Sequence, residues 1–306
     1  MQNKIARKIV DKLAELHGSD DFSIAFLPYK RSMWDSMESV YEECWNGNAS
    51  PYIIPLPYHL MGNNGQVEKT VSERQLFEGA YDVTMLRAMP FDYVVIHYPY
   101  DGKNKVTRML PEYYTAQLKN YGKVVYIPYS NTSIKFLRVQ PGIANVDYVF
   151  LSTEADVLLF ISEWAELGVN FSGRVFGFGS PKMDAIAKCK HEKDTNTVLV
   201  VNSLGAYLNN PFMKIDQYRA VIITELAVGH NVIFRPHPLL RQTIRSMRPD
   251  TEHTYIEFIE WAKVVGCYID ESEYLERELK EADMLISDPS SVVQLWATTG
   301  REYRVL

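Results

Sequence analysis

Cysteine is scarce in this chain of 306 residues: there are three, Cys44, Cys189 and Cys267, far apart and without CxxC spacing. That excludes a disulfide framework or a cysteine-held zinc site and fits a reducing compartment. Cys267 opens an apolar stretch and reads as a small core residue. Positive charge is also in deficit, 32 Lys and Arg against 38 Asp and Glu, a formal net charge of -6. The whole-protein field gives no reason to expect nucleic acid as a partner, although it leaves room for a locally basic pocket. No apolar run approaches a membrane span in length, and no signal peptide is visible. Sequence repeats and low-complexity tracts are absent. The expectation is a cytoplasmic globular protein. Its 46% hydrophobic content over this length is ample for a core and favours two domains over one.

The N-terminal stretch MQNKIARKIVDKLAELHG is an amphipathic helix by its pattern. Ile5, Ile9, Leu13 and Leu16 share a face, and Lys4, Arg7, Lys8 and Lys12 are basic. Packing on its own domain is one reading; peripheral contact with an anionic inner membrane surface is the other.

Strands and helices alternate thereafter. Strands are expected at 23–28, 52–57, 92–98, 123–129, 147–152 and 174–179, with helices over 32–46, 109–120 and 154–167. The region 58–90 gives no clear pattern. In the second half TVLVVNS (197–203), NVIFR (231–235), CYID (267–270), DMLISD (283–288) and EYRVL (302–306) are strand-like. Helices fall at about 215–230, 239–247, 251–265, 272–282 and 290–300, with Gly229 as a C-terminal cap, Ser272 as an N-cap and Asp288 as N-cap before Pro289. Alternation of this kind implies parallel sheets covered on both faces. The polar run KHEKDTNT (190–197) divides two such series. The chain therefore reads as two Rossmann-like domains, 1–189 and 198–306, with a linker at 190–197 and a cleft between them.

Two segments carry candidate chemistry. In VIFRPHPLL (232–240), Arg235 and His237 each precede a proline, which favours extended backbone. Residues two apart in extended chain point the same way, so Arg235 and His237 should project together beyond a strand end. Such a pair suits a phosphate or diphosphate. A rigid turn, with the Arg on a carboxylate and the His on backbone, suits the same residues. In LISDPSSVVQLW (285–296), a strand leads through Asp288, Ser290 and Ser291 into a helix start, where free N–H groups and hydroxyls can seat phosphate. Ordinary helix-start chemistry explains that segment too. Both segments belong to the carboxyl edge of one sheet, where ligands bind in open α/β folds.

Taken as a pair, RPHP (235–238) and SDPSSV (287–292) resemble the CDP-glycerol glycerophosphotransferase family, the teichoic-acid polymerase-like enzymes. SMWDSMESVY (32–41), IHYPYDGKNKVT (96–107), KVVYIPYS (123–130) and GFGSPKMDAI (177–186) are similar to further segments of that family. The resemblance implies an α/β GT-B-like fold, two Rossmann-like domains of parallel sheet. It implies a transferase that moves a polyol phosphate from a CDP-activated donor to a hydroxyl of a glycan or lipid-linked glycan, releasing CMP, in cell-wall or capsule polymer synthesis. No metal or cofactor beyond the donor is implied. By motif match, Arg235 and His237 would meet the donor diphosphate. Ser290 and Ser291 would hold phosphate oxygens, with Asp288 near the nucleotide or polyol end. Two departures stand out. VYIPYSNTS (125–133) lacks the histidine of the family's Trp-His-Gly-Thr segment, and the chain stops at YRVL where relatives continue, as a truncated C-terminal domain would.

The base must then be sought elsewhere. His97 ends the strand DYVVIH, and Asp101 follows four residues later, able to orient it and raise its basicity. A buried histidine bonded to backbone is the alternative reading. His59 is the second candidate. Tyr98, Tyr100 and Asp101 could line an acceptor or polyol site, and Lys103 and Lys105 could attract phosphate. Rival functions on the same architecture are a nucleotide-sugar glycosyltransferase, a UDP-sugar epimerase, and a nucleotide-binding module without catalysis.

Overall fold

The computed structural model describes residues 3–99, 101, 108–129, 134, 140–168, 171–188, 191, 195–272 and 275–306. The chain forms two compact units, Met1–Leu60 with Lys69–Ala187, and Met61–Glu68 with Lys188–Leu306. Half of the expected linker (190 and 192–194) lies outside the described residues, as do Cys189, Tyr100, Lys103 and Lys105.

The first unit opens with α1 (Lys4–His17) and β1 (Ser23–Phe26). A 3-10 turn (Arg31–Ser36), α2 (Glu38–Asn46) and β2 (Ser50–Ile53) follow. The unreadable region holds a hairpin, β3 (Tyr58–Met61) and β4 (Val67–Val71), and a single helical turn, α3 (Met85–Ala88). Then come β5 (Tyr93–Ile96), α4 (Thr115–Leu118), β6 (Lys123–Tyr126), β7 (Tyr148–Leu151), α5 (Glu154–Glu166), β8 (Arg174–Gly177) and α6 (Lys182–Lys188). Its sheet is parallel, in the order β2-β1-β5-β6-β7-β8. All four residues of β5 and of β7 are buried, as expected of strands covered on both faces.

Several boundaries differ from the sequence expectation. The strand expected at 52–57 stops at Ile53, ahead of Pro55, which has no N–H to give a ladder. The helix expected over 32–46 is broken at Met37, whose backbone leaves helical geometry between the 3-10 turn and α2.

α1 is the amphipathic helix expected, and its apolar stripe faces inward. Ala6, Ile9 and Leu13 are buried in the unit's core, with Ile5 and Leu16 packed against it. Full burial of an aliphatic side chain contributes about 1.5–3 kcal/mol, and leaves this stripe closed to a membrane surface. The N-terminus of α1 is capped from far away. Asn3 makes no side-chain cap bond, and the Ile5 and Ala6 N–H groups donate instead to Asp184, at 3.1 and 2.8 Å. Asp184 belongs to the GFGSPKMD segment. In the same segment Gly179 has φ +112 and lies so close to Ile5 that a Cβ would stand 2.8 Å from its Cδ1. The segment thus staples α1 to its unit.

The second unit contains β9 (Thr197–Val201), α7 (Leu204–Asn209), α8 (Pro211–Ala227), β10 (Asn231–Arg235), α9 (Leu240–Met247), α10 (Glu252–Val264), β11 (Tyr268–Ile269), α11 (Glu276–Glu281), β12 (Met284–Ser287), α12 (Ser291–Ala297) and β13 (Glu302–Val305). The sheet is parallel, in the order β11-β10-β9-β12-β13. α8 starts earlier than expected, with Asn210 capping the Met213 N–H and Pro211 in the first turn. Gly229 follows it with φ +91, beyond the reach of most side chains. Cys44 and Cys267 are buried, and burial pushes both thiols up to about 12. No helix among the described residues is long and apolar enough to cross a membrane.

Candidate functional site

The order of the second sheet places the candidate segments. From β9 the chain builds outward through β10 and β11 on one side, then returns to add β12 and β13 on the other. The reversal puts a topological switch point beside β9, the position at which open α/β sheets take ligands. Arg235 of β10 and Ser287 of β12 are both in register with Val201 of β9. Three chain segments therefore leave the sheet side by side: Asn202-Ser203, Pro236-His237-Pro238 and Asp288-Pro289-Ser290. At the usual strand spacing the outer two are about 10 Å apart.

Arg235 is not projected beyond the edge with His237, as the proline argument had it. It turns sideways within the sheet end and is buried. Its Nη1 meets the Asp270 carboxylate, lies 3.3 Å from Glu278, and donates to Ser272 Oγ at 3.1 Å; its Nη2 donates to the Ser272 carbonyl at 3.1 Å. The alternative reading, Arg on a carboxylate, describes this geometry. Ser272 is thereby drawn away from helix capping: it bonds Asp270, and the helix starts at Glu276 with Leu275 in the N-cap position.

His237 is half-buried at the edge. Its backbone N–H donates to Asn202 Oδ1 at 2.8 Å, and its Nδ1 accepts from the Leu239 N–H at 3.1 Å. An accepting Nδ1 places the proton of the neutral ring on Nε2.

Asp288 is not the N-cap of α12; Ser290 is. The Asp288 carboxylate is fully buried and binds across the switch point. Its Oδ1 accepts from Lys214 Nζ at 2.6 Å, and its Oδ2 accepts from the Ser203 N–H at 2.9 Å and from the Tyr218 hydroxyl. Burial, and then the bond to Asp288, push the Tyr218 phenol up, so it keeps its proton and remains a donor. Ser290 and Ser291 stand half-buried at the start of α12, with Ser290 Oγ 3.3 Å from Ser287 Oγ. Arg235, His237, Asp288, Ser290 and Ser291 thus lie at one sheet edge, with Arg235 and Asp288 engaged in buried pairs.

Sequence reasoning passed over Asn202, Ser203, Lys214, Tyr218, Asp270 and Glu278. Signals existed for some. Asn202-Ser203 ends an apolar strand as Arg235 does. Lys214 and Tyr218, four apart in a helix, share a face. Nothing local in the sequence marks Asp270 or Glu278 as partners of Arg235.

In the first unit the strand order reverses between β1 and β5. His97 and Asp101 follow β5 at that switch point. His97 is fully buried among the rings of Tyr29, Tyr98 and Tyr129. Its Nδ1 lies 3.4 Å from the Met33 carbonyl and 3.5 Å from Ser36 Oγ. A carbonyl only accepts, so Nδ1 carries the proton and Nε2 presents a lone pair, with no partner among the described residues. Burial outweighs the Met33 bond and, with the Lys182 charge, pushes the imidazole down to about 3. That is the reverse of the raised basicity expected.

Nor does Asp101 orient His97. A tight turn at Pro99 (Asp101 N–H to Pro99 carbonyl, 3.2 Å) directs the carboxylate to Thr115, whose N–H and hydroxyl donate to it. Burial raises the Asp101 carboxyl despite those two bonds. His59 lies on β3, with Nδ1 3.0 Å from Thr70 Oγ1.

In sequence, the chain matches no family model and no curated protein. In structure it is similar to a UDP-N-acetylglucosamine 2-epimerase, with TM-score 0.53 at 9% identity over 94% of this chain and 78% of that one. It is similar also to the Methanocaldococcus jannaschii UDP-GlcNAc 2-epimerase solved with UDP-GlcNAc and UDP, with TM-score 0.54 at 14% identity over 89% and 80%. The wall teichoic acid polymerase TagF superposes with TM-score 0.46 at 15% identity over 98% and 75%. The fold is GT-B-like. At these identities the likeness is one of fold, two Rossmann-like units of parallel sheet.

Proposed function

We propose that the chain is a transferase that moves a polyol phosphate, glycerol phosphate or similar, from a CDP-activated donor to a hydroxyl of a glycan or lipid-linked glycan, in cell-wall or capsule polymer synthesis. One observation carries the reading. RPHP and DPSS, the pair on which the family resemblance rests, leave the second sheet on either side of β9 at its switch point. The donor diphosphate would lie along that edge, with His237 Nε2–H and the Ser290 and Ser291 hydroxyls on its oxygens. Arg235 acts here as an anchor of the β10 end, and Asp288 as a brace at the switch point.

In the reaction the acceptor oxygen attacks the phosphorus next to the polyol. The bond from that phosphorus to the CMP oxygen breaks, and CMP leaves. The acceptor proton passes to a base, the role proposed for His97: its Nδ1–H is held by Met33 and its Nε2 has no partner among the described residues, although burial makes it a weaker base than a free imidazole. Asp101, held by Thr115, supports α4 in this reading and takes no proton.

The test is nucleotide release from CDP-glycerol, CDP-ribitol and UDP-GlcNAc. CMP released from a CDP-polyol alone is the expected result, and UDP release would sink the proposal. His97→Ala should lose transfer and keep CDP affinity; unchanged turnover removes His97 as base. The epimerase structures favour a second reading, a UDP-sugar epimerase. Inversion at C2 of UDP-GlcNAc in the same assay would select it.

A further inference from the structure

We infer that Asn202 is a phosphate-binding residue, its side-chain amide donating to an oxyanion of a nucleoside diphosphate at the carboxyl edge of the second unit's sheet. The inference rests on reading that edge as a nucleotide site, and it adds a residue on the central strand between the two motif segments.

The orientation of the Asn202 amide follows from its partner. One side-chain atom stands 2.8 Å from the His237 backbone nitrogen. A backbone N–H only donates, so that atom is the oxygen and the other is the NH2 group. Asn202 is 1% exposed, and its Nδ2 is buried without a hydrogen-bond partner among the described residues. A buried amide donor left without an acceptor is a destabilising feature that native structures seldom keep without a use. This one lies where β9 ends, beside the switch point.

The acceptor is not supplied by the carboxylates around it. Asp288 is occupied by Lys214, Tyr218 and the Ser203 N–H. Asp270 is occupied by Arg235 and Ser272. Ser203 Oγ accepts from the Ala206 N–H as the cap of α7. These pairings also remove the obvious objection, repulsion of an incoming anion. The Asp288 charge is balanced by Lys214 at 2.6 Å, and the Asp270 charge by Arg235. The edge is left electrically balanced, with an oriented N–H donor lacking an acceptor among the described residues. A phosphate oxyanion of the proposed nucleotide is an acceptor that would satisfy this donor, and the neighbouring carboxylates, neutralised by cations, do not repel it.

The amide links this function to the motif loop. Asn202 Oδ1 holds the His237 N–H, so the residue that would touch the ligand also sets the position of the histidine loop. Aspartate at this position could still accept from His237 but would offer a negative oxygen where the donor stands.

The test uses the full chain and two probes, CDP and cytidine. CDP affinity is measured by calorimetry, and cytidine binding by ligand-observed NMR. Asn202→Asp is expected to keep the melting temperature and cytidine binding of the wild type, and to weaken CDP by roughly ten- to a hundredfold. Asn202→Ser, which adds no charge, should weaken CDP in the same selective manner, and it decides the matter if Asn202→Asp does not fold. CDP affinity equal to wild type in a folded variant overturns the inference and leaves the nucleotide-site reading standing. An equal loss for CDP and cytidine also overturns it, since that is the mark of a structural role. Wild-type protein that binds no CDP overturns both.

Discussion

Replacing Glu278 by glutamine should change how stability depends on pH. Glu278 is completely buried, 3.3 Å from Arg235 Nη1 and next to Asp270 in the same cluster. Neither of its oxygens has a hydrogen-bond partner among the described residues. Burial first, and then the neighbouring Asp270 carboxyl, push the Glu278 carboxyl up to about 8, against the pull of Arg235. Burial acts on Asp270 too, but the neighbouring Glu278, the bonds from Ser272 and the Arg235 charge outweigh it and hold that carboxyl below its usual range. Glu278 therefore keeps its proton at neutral pH.

The sign follows by linkage. An unfolded chain releases the Glu278 proton near pH 4.3, whereas the folded protein holds it to about pH 8. Between those values the native state binds one more proton, so this site favours folding at the acid end and loses that stabilisation as pH rises. The slope is roughly 1 kcal/mol per pH unit, or about 3 kcal/mol between about pH 5 and about pH 8. Glutamine keeps the shape, can donate to Asp270, and has no proton to release. Urea unfolding of both proteins across that range, at fixed salt, gives a difference in which other titrating groups cancel. Glu278→Gln should gain on the wild type steadily as pH rises. Parallel stability curves would refute the reasoning and mean that Glu278 is ionised beside Arg235.

Two other changes test the framework. Asp184→Ala removes the distant cap of α1 and should cost about 2 kcal/mol in chemical denaturation, from two charge-assisted bonds to backbone N–H groups; a loss near zero would mean that water replaces the carboxylate. Asp288→Ala strands the Lys214 ammonium and should cost about 3–5 kcal/mol, with part of that recovered in the double variant carrying Lys214→Met.

The fully buried strands were readable because a parallel sheet covered on both faces imposes short β-branched runs, as in TVLVV and NVIFR. Two proline limits were passed over: the expected strand ran through Pro55 to 57 and the expected helix began at about 215, whereas β2 stops at Ile53 and α8 starts at Pro211. The candidate edge was readable to the level of which segments meet there. The direction of each side chain was not. Two prolines favour extended backbone around Arg235, but a long charged side chain follows its strongest partners, and those lie 35 and 43 positions away at Asp270 and Glu278.

Sequence alone determined the alternation of elements, the strand ends that carry Arg-Pro-His-Pro and Asp-Pro-Ser-Ser, and the amphipathic first helix. Each depends on local periodicity or on the backbone limits of proline. Tertiary structure alone decided which charges are consumed and which donors are left over. Arg235 and Asp288 became internal braces, burial lowered the basicity of His97, and Asn202 kept an amide with no acceptor among the described residues. Pairing and desolvation depend on groups remote in the chain, and only the folded sheet edge brings them within a hydrogen bond of one another.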